Sequence, residues 1–84
     1  MEFNVVYAPA PDDRWEVQYS GQRVGYKAWD QRVALSYAKD MAKKNRPSTI
    51  VVHDRDGNAK KQITYPEKGS AVEKKLDGRG RRVY

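Results

Sequence analysis

Apolar and polar residues alternate without a break from Arg14 to Tyr19: Trp15, Val17 and Tyr19 fall on one side, Arg14, Glu16 and Gln18 on the other. A period of two predicts a half-buried strand, because successive side chains on an extended chain point to opposite faces. Phe3 to Tyr7 repeats the pattern with Phe3, Val5 and Tyr7, and Gln22 to Ala28 sets Val24, Tyr26 and Ala28 against Arg23, Gly25 and Lys27. Pro9, Pro11, Asp12 and Asp13 separate the first two segments; prolines cannot donate to a ladder and aspartates favour turns, so the chain reverses there. Ser20-Gly21 joins the second and third segments as a hairpin.

The period changes after Asp30. Ala34, Leu35, Ala38, Met41 and Ala42 recur at i, i+1, i+4, i+7 and i+8, one face of a 3.6-residue repeat, which predicts a helix from Asp30 to Asn45. Asp30 is suited to the N-cap, its carboxylate accepting from an amide that the first turn leaves unpaired. Lys43, Lys44 and Arg46 complement the negative end of the helix dipole, and Pro47 stops the element. The alanines at 34, 38 and 42 let the axis lie close to a sheet. Thr49 to His53 then returns to a β-branched run, Asp54-Arg55-Asp56-Gly57 signals a turn, and Ala59 to Tyr65 pairs back. Beyond Pro66 there is no sustained period, and residues 66–84 are read as a flexible tail following a single α+β domain over residues 1–65. The expected architecture is a mostly antiparallel sheet in the order strand, strand, strand, helix, strand, strand, with the helix packed on one face.

Composition narrows what such a domain does. The chain has 84 residues, 38% hydrophobic and 33% charged, with a mean hydropathy of −1.01, so it buries one thin apolar layer and has little room for a large internal substrate cavity. No apolar stretch approaches the roughly 20 residues needed to span a bilayer, and Met1-Glu2-Phe3 lacks the layout of a secretory signal, so a cytoplasmic protein without a membrane partner is expected. There is no cysteine and a single histidine, His53, which argues against disulfides, thiolate chemistry and a histidine-rich metal site. Neither an enzyme activity nor a cofactor is expected.

Several quoted features together resemble the family of short bacterial and phage proteins called domain of unknown function 2188. They are Val5-Val6 before a Pro/Asp turn, Trp15-Glu16-Val17 with Gly21, and a helix carrying Ala34, Ala38 and Ala42. Val51-Val52-His53 leading into Asp56-Gly57 and a closing Tyr65 complete the set. The likeness covers about residues 3–65 and brings no agreed activity or catalytic residues. A second likeness concerns Arg14 to Lys44 alone: three strands followed by a helix packed across them is similar to the arm-type DNA-binding domains of tyrosine recombinases and related plant factors, which lay a sheet in the major groove.

The formal net charge is +6 and is unevenly placed: residues 1–57 hold 9 basic and 8 acidic side chains, residues 58–84 hold 8 and 3. A near-neutral body with a basic end is read either as a domain with an anion-seeking tail or as one with an ordinary solubilising tail. The sheet face opposite Trp15, Val17 and Tyr19 presents Arg14, Gln18, Arg23 and Lys27, suited to phosphates and base edges, although Glu16 sits among them. Lys74, Lys75, Arg79, Arg81 and Arg82 form the basic cluster of the tail. These nine residues are the candidate nucleic-acid contacts.

Other constellations have plainer readings. His53 with Asp54 and Asp56 suggests a metal or a general base, but equally a hairpin cap, and the paired aspartates at 12–13 and 54–56 lie in turns that favour aspartate. Trp15 and Tyr26 belong on the helix-facing side, where aromatics are core, whereas Trp29, beside the cap, is the most exposed of the three. The leading expectation is a small binding module associated with nucleic acid. Its rival is a protein-interaction module, a homodimer or a binder of a host or partner protein, because one helix leaves an edge strand or part of a face to be covered.

Overall fold

The structure, a computed structural model, describes residues 1–19 and 22–76, with the backbone alone for Gln22 to Gly25. The elements are β1 (Glu2–Ala8), β2 (Arg14–Tyr19), β3 (Gln22–Ala28), α1 (Gln31–Lys44), β4 (Ser48–His53), β5 (Ala59–Tyr65) and β6 (Val72–Lys75). The strands form one sheet in the order β3-β2-β1-β4-β5-β6. It consists of two antiparallel meanders, β1-β2-β3 and β4-β5-β6, joined side by side through a parallel pairing of β1 with β4.

The sheet is mostly antiparallel, as expected, with one parallel pair: α1 carries the chain from the β3 edge back across β2 and β1 and delivers β4 running in the same direction as β1; a parallel neighbour requires such a crossover. The chain also pairs beyond Tyr65, where a flexible tail was expected. Residues 72–75 pair with β5 as a sixth strand, and the Leu76 amide donates to the Lys60 carbonyl at 2.9 Å. The turn leading into β6 is held from outside: Arg46, just past α1, donates to the Pro66 carbonyl at 3.2 Å and to the Gly69 carbonyl at 2.8 Å, with its guanidinium over the Tyr65 ring.

The core lies between the sheet and α1. Ala34, Ala38 and Ala42 are fully buried, as the 3.6-residue repeat predicts, against Phe3, Val5, Val17, Ile50 and Val52. Leu35 and Met41 flank that contact half-buried, and Tyr26 stacks on Tyr37 at 4.0 Å to close one side. Small side chains along the buried stripe let α1 pack across β1, β2, β3 and β4. Asp30 is the N-cap, its carboxylate accepting from the Arg32 amide at 2.9 Å, and Asn45 is the C-cap, ahead of Pro47.

Candidate functional site

α1 covers one face of the sheet, and among the described residues no element packs on the other. That other face is built from the alternate positions of each strand, and the register places them in rows. The middle row crosses the whole sheet: Arg23 opposite Gln18, Gln18 opposite Asn4, Asn4 opposite Val51, Val51 opposite Gln62, and Gln62 opposite Lys74. Gln18, Asn4, Val51 and Gln62 are half-exposed and Lys74 is exposed. Five spacings of about 4.8 Å give this row a length of roughly 24 Å. Beside it lie Glu2, Thr49, Thr64 and Val72, and a shallow depression is lined by Glu2, Thr49, Val51 and Gln62.

Towards the start of β2 the same face is less open. Lys27 makes an ion pair with Asp12 at 3.4 Å and lies 3.9 Å from Glu16, whose side chain is buried beneath it. Lys27 remains exposed, with these two carboxylates as its near neighbours. Arg14 is half-buried, with its guanidinium carbon 3.3 Å from the centroid of the Trp29 ring, and its Nε finds no hydrogen-bond partner among the described residues. Trp29 itself is 73% exposed. Trp15, by contrast, is buried and Tyr26 half-buried in the helix-facing layer, as alternation requires.

Of the nine sequence candidates, the structure therefore brings Gln18, Lys74 and the Arg23 position into one row and sets Arg14 and Lys27 at the neighbouring corner. Lys74 and Lys75 are not in a tail: both sit on β6, and because β6 alternates, Lys75 pairs with Lys61 on the helix side while Lys74 joins the opposite face. Lys61 is engaged by Glu73 at 3.2 Å. Arg79, Arg81 and Arg82 lie outside the described residues, as does the Ser20-Gly21 turn. Sequence reading missed Asn4 and Gln62, although alternation about Phe3 and Val5, and about Ile63, would have placed both on the outer face.

The His53 and aspartate cluster resolves into structural bonds. The His53 Nδ1 lies 3.2 Å from the Val5 carbonyl oxygen, and the backbone carbonyl of His53 accepts from the Gln31 side chain at 3.0 Å. The Asp54 carboxylate accepts from the amides of Asp56 and Asn58, each at 2.9 Å, and stands 3.7 Å from Lys60. The Asn58 amide above all, helped by the Asp56 amide and the Lys60 charge, holds the Asp54 carboxyl below its ordinary range; desolvation opposes them and is second in size only to the Asn58 amide. Among the described residues no three His, Asp or Glu side chains gather to hold a metal, and no helix is long and apolar enough to cross a membrane.

No curated protein and no solved structure matches the chain. A family model does: that of domain of unknown function 2188, described as an uncharacterized protein conserved in bacteria, matches residues 3–65, from the first residue of the core to the last residue of β5. With three quarters of its length so matched, the chain belongs to the domain of unknown function 2188 family.

Proposed function

We propose that this protein is a small, non-enzymatic, cytoplasmic binding module that meets nucleic acid through the sheet face opposite α1. The observation that carries the reading is the cross-sheet row Gln18, Asn4, Val51, Gln62 and Lys74. Carboxamides offer paired donors and acceptors of the kind that read base edges, and lysine supplies a point charge for phosphate. A net charge of +6 on 84 residues adds long-range attraction to a polyanion. Lys74 supplements the face from its β6 edge.

The test is a salt series with fluorescently labelled DNA, single-stranded and duplex, using the full chain. Binding at low salt that weakens steeply towards moderate salt supports the reading, and Lys74→Ala is expected to reduce the slope by about one counterion. Failure to bind either nucleic acid at low salt overturns it.

A further inference from the structure

We infer that Trp29 is a stacking post for an unpaired nucleobase, so that the nucleic acid this face prefers is single-stranded; the inference rests on the reading proposed above and specifies its ligand. Trp29 follows Ala28, which pairs with Trp15 on the helix side. Its own position is therefore on the opposite face, against Arg14, and the ring contact with Arg14 agrees. Among the described residues it is the aromatic side chain of that face: Phe3, Tyr7, Trp15, Tyr19 and Tyr26 all stand on the helix side.

Two features point to a base as its occupant. The first is the state of the ring. One face is held by the Arg14 guanidinium at 3.3 Å, yet the residue remains 73% exposed, which leaves the other face of the indole to solvent. A ring fixed on one side and bare on the other is arranged to stack a planar partner, and every base has a π-face to offer. The cation behind the ring also stands close enough to favour an adjoining phosphate, while Lys27 is retained by Asp12 and Glu16.

The second feature is the width of the sheet. The major groove of a duplex, about 12 Å across, admits a helix or a two-stranded ribbon. A row of six strands spanning roughly 24 Å is too broad to enter it. A single strand laid along the face meets no such limit, and a path from Trp29 over the carboxamide row towards Lys74 has the reach of several nucleotides, within the range of about 4–16 found for single-strand binders.

The experiment compares an oligothymidine of about 12 nucleotides with a duplex of equal length, binding the full chain at low salt, for the native protein and for Trp29→Ala and Trp29→Phe. The expected result is tighter binding of the single strand, quenching of tryptophan emission on binding, and a loss of roughly 5- to 100-fold in single-strand affinity for Trp29→Ala. Trp29→Phe keeps most of the affinity, and duplex affinity is the same in all three. Because Trp15 is buried, the quenching belongs to Trp29 and is absent from both variants. Equal binding of both nucleic acids, or single-strand binding that Trp29→Ala leaves unchanged, overturns the stacking role while the broader reading stands. Absence of binding to either nucleic acid overturns both.

Discussion

The His53 ring reaches back across 48 residues of sequence to the Val5 carbonyl, placing its Nδ1 3.2 Å from that oxygen where the parallel ladder of β1 and β4 ends at Val5 opposite Val52. A carbonyl accepts, so Nδ1 carries the proton. The ring thus satisfies a main-chain group at the seam between the two meanders. Removing it in His53→Ala is expected to cost about 1 kcal/mol in urea denaturation. His53→Asn, whose side-chain amide sits where Nδ1 does, should recover more of that loss than His53→Gln, whose amide lies one bond too far.

The β4–β5 loop makes a second prediction. Gly57 has a φ of 87°, in the left-handed region, although a Cβ there would meet no atom within 4 Å. Gly57→Ala is therefore expected to destabilise by roughly 1–2 kcal/mol through backbone strain alone, with no clash. Gly57→Asn should be milder, since asparagine tolerates that conformation better. Thermal unfolding of the two variants beside the native chain checks the order.

In the same loop, Asp54 gives a pH dependence with a definite sign. Its carboxyl is held below the ordinary value of 3.8, first by the Asn58 amide, so the folded state favours the ionised form. The contribution is complete above 3.8 and is lost as pH falls through the lower folded value. Asp54→Asn removes this dependence. Between pH 5 and about pH 2 the native chain should lose more stability than the variant, measured as the difference in denaturation midpoint.

β6 is predicted to depend on Arg46. Arg46→Met keeps the apolar stem over Tyr65 but removes the donors to the Pro66 and Gly69 carbonyls. Amide exchange in residues 72–76 should accelerate by about tenfold, the weight of 1–1.5 kcal/mol, while amides between β1 and β2 keep their protection. Equal acceleration in both would show that the turn opens only with the whole molecule.

Ala38 is fully buried under the sheet. Ala38→Leu is expected to cost about 1–3 kcal/mol by forcing α1 away from β1 and β4, whereas Ser36→Leu, on the exposed side of the same helix, should change stability by less than about 0.5 kcal/mol.

The parts of this fold legible in the sequence are those set by local periods. Trp15, Val17 and Tyr19 declared β2, the alanines at 34, 38 and 42 declared α1 and its buried stripe, and Asp30 and Pro47 marked its limits. β6 was invisible for the same reason: Val72, Glu73, Lys74 and Lys75 are all exposed, so no alternation distinguishes them from a solvated tail. The parallel pairing of β1 with β4 is a long-range fact that no window of sequence contains. At the candidate site, alternation correctly assigned Arg14, Gln18 and Lys27 to the outer face. It gave no sign that Asp12, 15 residues away, would engage Lys27, or that Arg14 would turn onto Trp29.

The seam between β1 and β4 also orders events during synthesis. β1 emerges first, yet its second neighbour emerges only after the turn, two further strands and a helix have been made. Until Ile50 and Val52 leave the ribosome, Phe3 and Val5 lack their β4 neighbours, and the nascent first meander presents an incompletely covered apolar side. Such non-local pairings close late and slowly.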